Sequence, residues 1–542
     1  MSQTVAEMLV NSILDNGIDT LYCLPGVQLD PFFDACYDRV DRLRIVHARH
    51  EQAAAYMAMG AQLSTGRPQS YCVVPGVGFL NSSAALATAY SVNSSVLAIV
   101  AQISSDAIGK GYGQLHEIPD QFAILEQLTK CSLGIRAPAD AERVLKNLWR
   151  QLKSGPPKPV GLEIPMDMWI SRAGFSESLA VNGDPGPPVD GEAVSRAVKL
   201  MKEAKAPMIV VGGGALDSGE LVTELSRMLS APVVAFRMGK GVVSHEEPLR
   251  VDMPTAYSLW PKVDLLIGLG SRMQWQTQIW GTDDDMKVVH VNLDPRELGR
   301  IVEPDVGICA DLADALPKLL EKLEGNETRR DDWVENVLEE KGRVKARMES
   351  VIGAQLEWLA SIRAELPREG ILVDEVTQMG YVGHIGFPVY APRTYVSSGF
   401  QGTLGYGYAT ALGVADARRD VPVVNFCGDG GIMYTLNEMA TAVHHRIPIT
   451  TIVFADGHYG NVRGFQRDQY SGRYIATDLS NPDFVKYAES FDVQGLRATT
   501  PDELRERLRE GMAHPGPTLI EVPVGEFNSP WGFIKVPRIR GL

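Results

Sequence analysis

The segment from Val421 to Asn461 constrains the fold most. VPVVNFCG is a nearly unbroken apolar, β-prone run, GDGG follows it, apolar residues then recur at helical spacing from Ile432 to His445, and ITTIVFADG supplies a second apolar run. Two such runs joined through a helix predict neighbouring inner strands of a parallel sheet with both faces covered. Parallel strands end at the same sheet edge, so Asp429 and Asp456, one at the end of each run, are delivered side by side. Gly428, Gly430 and Gly431 let backbone approach an anionic ligand closely, and the helix N-terminus points unpaired N–H groups and a positive dipole at it. Two carboxylates at adjacent strand ends suit a hard cation such as Mg2+ shared with a phosphate. No GxxxxGK[ST] motif occurs, which removes the P-loop nucleotide alternative.

The rest of the chain repeats this alternation. With 542 residues, 45% of them hydrophobic and 22% charged, it exceeds one core and fits about three globular domains. DTLYCLPG, RIVHARHE, QSYCVVPG, SVLAIVAQ and PVGLEIP predict an α/β domain over 1–172, and PMIVVGGG, PVVAFR, VDLLIGLG and KVVHVNLD a second over 192–325. A third covers 355–542. The Gly- and Pro-rich stretch 173–191 predicts a linker, and the charged stretch 327–350 a solvated helical connector. The expected class is therefore α/β, with three doubly wound parallel-sheet domains. A net charge of -15 without a basic cluster argues against nucleic acid as a partner. Cys23, Cys36, Cys72, Cys131, Cys309 and Cys427 are scattered without CxxC spacing, as expected of reduced thiols. The N-terminal stretch has neither a basic n-region nor a continuous apolar span, so a cytoplasmic protein with no membrane partner is expected.

The GDG run, followed after a few tens of residues by an acidic strand end, resembles the thiamine-diphosphate (ThDP) signature of the acetolactate synthase-like family. The resemblance extends to the three-domain order: pyrimidine-binding, middle and diphosphate-binding. At Asp456 that family usually has Asn. The match implies that Asp429, Asp456 and the His458 carbonyl hold Mg2+, and that Thr377, Gln378, Gly428, Gly430, Gly431, Tyr459 and Gly460 surround the cofactor. In SSGFQGTLGYGYATALG, Leu404 would be the apolar wedge beneath the cofactor, and the Gly402 carbonyl would accept from its 4'-amino group. Glu51, between a strand and an Ala-rich helix, is on its own an ordinary acid of a helix N-terminus. By the resemblance it is the carboxyl that faces N1' of the aminopyrimidine, a role served by apolar surroundings and a raised pKa.

Substrate residues follow from the same match. Pyruvate decarboxylases of the superfamily carry a His-His pair on the loop after the fourth strand, and benzoylformate decarboxylases a His at the third strand end. This chain has the single His116 and Val74 there, which disfavours simple aldehyde release. His116 and Gln28 are the catalytic candidates beside Glu51, and Phe465, Arg463 and Arg467 the substrate candidates. VVGGGALDSG lacks full GxGxxG spacing, and the residues around Arg272 depart from the FAD-binding pattern, so FAD stays open. The expected function is an acetolactate synthase-like carboligase using ThDP and Mg2+. It would join a decarboxylated 2-oxo acid such as pyruvate to a carbonyl acceptor, as a homodimer or homotetramer with active sites between subunits. A 2-oxo-acid decarboxylase or benzaldehyde lyase-like aldehyde lyase is the alternative within the superfamily. An NAD-binding oxidoreductase and a silent ThDP-fold protein are the alternatives outside that chemistry.

Overall fold

The buried apolar runs assemble into three six-stranded sheets in which every pairing is parallel. The computed structural model describes residues 2–174, 178–325 and 329–541. Residues 175–177 of the expected linker, 327–328 of the charged stretch, and the terminal residues 1 and 542 lie outside the described residues.

The first sheet runs, edge to edge, Arg44–His47, Thr20–Cys23, Gln69–Val73, Val96–Gln102, Val160–Pro165, Cys131–Gly134. The third runs Tyr395–Val396, Ile371–Val373, Val423–Gly428, Thr450–Ala455, Thr518–Pro523, Gln494–Arg497. Taken in chain order within each sheet, both follow 2-1-3-4-6-5. The middle sheet follows 3-2-1-4-5-6. In each, the order reverses at an inner pair of strands, and a crevice opens beyond their carboxyl ends where ligands of such sheets bind. Two edge strands escaped the sequence pattern for a physical reason, although the edge strand Arg44–His47 did not. Cys131–Gly134 is half-buried throughout and contains Ser and Gly, and Arg250–Val251 is only two residues long.

The helix expected from Ile432 to His445 is broken. Asp429–Ile432 and Met439–His444 are helical, with a 3-10 turn at Leu436–Glu438 between them. Thr435 leaves helical geometry at φ -134°, and Tyr434 packs against Gly405, whose φ of +85° and lack of Cβ allow the approach. The charged connector also differs from expectation. Asp331–Glu365 is one long helical element kinked at Ile352, and Trp333, Val337, Val344 and Met348 form a buried stripe rather than a solvated rod.

The first and third domains meet through Glu51–Thr65 and Gly407–Ala417, both buried almost all round by small residues. A Cβ on Gly413 would lie 2.0 Å from the Met57 carbonyl oxygen, so glycine is what permits the backbones to touch. Polar ties reinforce the seam. Asp416 accepts from Arg44, Arg419 and Tyr22, and Glu438 accepts from the Arg49 backbone N–H. Among the described residues no helix is long and apolar enough to cross a membrane.

Candidate active site

Two half-sites form at the switch points of the first and third sheets. In the first, Glu51 opens its helix just beyond the Arg44–His47 strand, with a buried side chain. Its Oε2 accepts from Asn81 Nδ2 at 3.0 Å, and it makes no ion pair with Lys or Arg among the described residues. A Cβ on Gly78 would fall 2.6 Å from Val74 Cγ2 and 3.3 Å from Glu51 Oε1, and one on Gly26 2.4 Å from Val74 Cγ1. Val74 therefore sits at the centre of the cluster, as a wall rather than as a proton donor.

His116 and Gln28 join this cluster. Gln28 Nε2 donates to the Leu115 carbonyl at 3.2 Å, and the His116 carbonyl presses on Gly76 after the third strand. His116 holds φ of +67°, a strained conformation for a non-glycine residue. Gln28 Oε1 and His116 Nδ1 are buried and have no hydrogen-bond partner among the described residues. Such groups cost free energy unless something satisfies them, which leaves Gln28 and His116 with polar atoms available to a ligand.

In the third domain Asp429 follows the Val423–Gly428 strand and Asp456 the Thr450–Ala455 strand. Asp429 Oδ2 accepts from the Gly457 N–H at 2.8 Å and from Asn481 Nδ2 at 2.7 Å, and Asp456 Oδ1 from the His458 N–H at 2.9 Å. Desolvation raises both carboxyls above the ordinary range, and the charge of Asp429 raises Asp456 further. A cation relieves both effects, so this donor set fits Mg2+. The loop that follows Asp456 is pinned by Tyr459 N–H to the Thr477 carbonyl and Leu479 N–H to the Gly457 carbonyl, each 2.8 Å.

The remaining diphosphate-side candidates converge here. Thr377 caps the Gln378–Gly386 helix and lies against Gly428, Gly460 lies against Asp456 and Gln378, and Tyr459 covers Gly430. Gln378 Oε1 is buried and has no hydrogen-bond partner among the described residues. Leu404 is half-buried and sits over Gly431, with Gly402 two residues before it at φ +55°. Thus an unpartnered amide, a carboxylate pair and an apolar wedge adjoin one glycine turn, which fits a metal-bound diphosphate attached to an aromatic body.

Glu375 was not legible as a site residue. It is fully buried, accepts from the N–H groups of Val376, Gly405 and Gly407, and so fixes the turn that carries Leu404. Desolvation lifts its carboxyl from 4.5 to about 7 despite those three donors. Because the folded value is raised, its contribution to stability is fullest below about 4.5 and declines as pH rises to about 7. In Glu375→Gln that decline, at most about 1.4 kcal/mol per pH unit, is expected to be absent, so that the variant gains on the parent as pH rises from about 4.5 to about 7. Urea unfolding across this range measures it; parallel profiles would refute it.

The substrate candidates are less free than their sequence suggested. Phe465 stacks on Trp531 at 5.7 Å with Lys535 over its ring, beside a cavity of about 270 Å3 that reaches Gln378 and Asp456. Arg463 is ion-paired with Asp478 and lies over Tyr474, and Arg467 pairs with Asp468 and Glu526. Their charges are already partly spent. In the middle domain the VVGGGALDSG turn and Arg272 line a cavity of about 390 Å3 at the switch point. Arg272 is directed at Glu297 (3.3 Å) and the Phe400 ring.

Comparison with known proteins agrees with this architecture. The profile "Thiamine pyrophosphate enzyme, N-terminal TPP binding domain" matches residues 3–124, the corresponding central domain 194–319, and the C-terminal TPP binding domain 375–522. The chain therefore belongs to the thiamine pyrophosphate enzyme family. It is similar to the acetolactate synthase large subunit of Parasynechococcus marenigrum, 30% identical over 96% of this chain and 87% of that one. A probable acetolactate synthase large subunit of Methanocaldococcus jannaschii is 29% identical, covering 96% and 91%. A probable 2-ketoarginine decarboxylase of Pseudomonas aeruginosa is 28% identical, covering 96% and 94%. Because these alignments span nearly whole chains, the likeness includes all three domains. Within the family this is an acetolactate synthase-like, ThDP-dependent enzyme of the carboligase or lyase kind.

Proposed function

We propose that this enzyme decarboxylates a 2-oxo acid such as pyruvate and joins the remainder to a carbonyl acceptor, using ThDP held through Mg2+. The observation that carries the reading is the presence of two incomplete half-sites: a buried glutamate without an ion pair in the domain that also holds Gln28 and His116, and a carboxylate pair beside Gln378. Gln28, His116 and Gln378 each have a buried polar atom unpartnered among the described residues. Bound ThDP would supply a nucleophilic thiazolium carbon and an electron sink. Asp429, Asp456 and the His458 carbonyl hold the metal, and Thr377, Gln378, Gly428, Gly430, Gly431, Tyr459 and Gly460 enclose the diphosphate. Leu404 and the Gly402 carbonyl fix the bend and the amino group. Glu51 holds the proton that faces N1'. His116 and Gln28 orient substrate oxygens, and Phe465 bounds the acceptor side.

A second copy of the chain completes the site in this reading. Glu51 makes its contacts within its own domain, while Val27, Val77, Leu80 and Leu115 beside it, and Phe400, Met433 and Tyr434 beside Leu404, are exposed apolar side chains. Apolar surface of that extent around both half-sites supports burial against a partner.

Product analysis tests the proposal. Protein stripped with chelator and restored with ThDP and Mg2+ is expected to consume pyruvate only when both are present, giving acetolactate or, with added aldehyde, an acyloin. Free aldehyde alone would overturn the carboligase reading. The similarity to a 2-ketoarginine decarboxylase favours that second reading, in which a larger 2-oxo acid is decarboxylated without coupling.

A further inference from the structure

Outside both half-sites, three histidines from two domains converge at the domain seam. His47 ends the Arg44–His47 strand of the first domain, and His444 and His445 end the Met439–His444 helix of the third. Their rings meet in T-shaped, edge-to-face contacts with centroids 4.7 to 4.8 Å apart. One ring nitrogen from each lies within 4.8 Å of the other two. His444 is exposed and the others half-buried, so the cluster is open to solvent on one side.

We propose that His47, His444 and His445 form a binding site for a divalent transition-metal ion of the Zn2+ class, which clamps the first domain to the third. Three imidazoles with an open fourth position make a donor set suited to Zn2+, Ni2+ or Co2+ and unsuited to Mg2+, which prefers oxygen. Tetrahedral Zn–N bonds of about 2.0–2.1 Å place ligand nitrogens roughly 3.3 Å apart. The three nitrogens must therefore draw in by up to about 1.5 Å, a rotation that the exposed His444 ring is free to make.

A second, independent feature is the support behind one ligand. His445 Nε2 lies 3.2 Å from both the His47 carbonyl oxygen and the His47 backbone nitrogen, so the backbone of one proposed ligand fixes the ring orientation of another. Burial chiefly lowers His47 and takes His445 down to about 4, with neighbouring imidazoles, Arg49 and Arg44 adding to it, which favours in these two the neutral form that binds metals. Arg44 is paired with Asp416, which limits the positive charge facing an incoming ion.

The site lies four residues before Glu51 and joins the strand that leads to it to the helix that follows the GDG turn. Its occupant would tie the two halves of the seam without touching the reaction.

The test is calorimetric titration of Zn2+ into the full-length protein saturated with ThDP and excess Mg2+, alongside His444→Gln and His47→Gln. One more equivalent of Zn2+ is expected in the parent than in either variant, or an affinity at least tenfold higher, together with a rise in Tm that His444→Gln abolishes. Equal uptake by parent and His444→Gln would mean an adventitious ion only, and the absence of any uptake in the parent would also overturn the proposal. His444 is exposed, so that variant remains a valid control if His47→Gln fails to fold. ThDP-dependent turnover of His444→Gln without Zn2+ is expected to equal that of the parent.

Discussion

Glu51→Gln is expected to lower turnover on the order of 10²- to 10⁴-fold, the range in which a positioned proton-transfer group contributes. The glutamine keeps the size of the side chain and can still accept from Asn81, so folding and the diphosphate site should survive. What it removes is the only atom in that position able to exchange a proton with N1'. ThDP should still bind, at reduced affinity, because one hydrogen bond to the aminopyrimidine is weakened rather than the metal-diphosphate anchorage lost. Steady-state kinetics with a ThDP titration separate the two quantities. Turnover within tenfold of the parent would remove Glu51 from acid-base chemistry, and would revive the reading of its carboxyl as an ordinary helix N-terminal acid.

The inner strands were legible because a strand covered on both faces has to be apolar almost throughout. VLAIVAQ, VVNFCG and TTIVFA satisfy that with scarcely a polar interruption. Glycine turns at their carboxyl ends then located the crevices. Asp429 and Asp456 could be placed side by side before any coordinates, since parallel neighbours must end at one edge. The 432–445 segment misled because its apolar spacing is helical while its backbone is interrupted by a contact that no local pattern encodes: Tyr434 against Gly405, nearly thirty residues upstream.

Residues that act through distant partners were illegible for the same reason. Asn481 reaches Asp429 from a loop 52 residues away, and Asn81 reaches Glu51 from the adjacent helix across 30. Glu375 lies in the same short run as Thr377 and Gln378, yet its burial becomes visible only when Gly405 and Gly407 fold onto it. The arginines at 463 and 467 show the reverse error. Sequence presents them as free cations near a substrate aromatic, and the fold supplies Asp478 and Glu526 to meet them.

Asp429→Asn is expected to abolish turnover and to raise the apparent Kd for Mg2+-ThDP on the order of 100-fold, about 3 kcal/mol, as when one partner of a buried charged contact is neutralised. Both oxygens of Asp429 are placed by backbone N–H groups, Gly430 on one and Gly457 on the other. An amide would turn its NH2 toward a donor or toward the metal, and neither arrangement holds a cation. Asp456→Asn should behave in the opposite way. Its one backbone contact, from the His458 N–H to Oδ1, is equally served by an amide oxygen, and the resembling family usually places Asn at this position. Losing that charge also removes the repulsion that Asp429 exerts on Asp456, so the metal-free protein should gain stability while turnover stays within about tenfold at saturating Mg2+. Cofactor titrations at several Mg2+ concentrations, with thermal unfolding in the presence of chelator, distinguish the two variants. If Asp456→Asn lost activity as completely as Asp429→Asn, the two carboxylates would have to act together as obligatory anions, and the metal would owe its affinity to their joint charge rather than to one ion and one neutral oxygen.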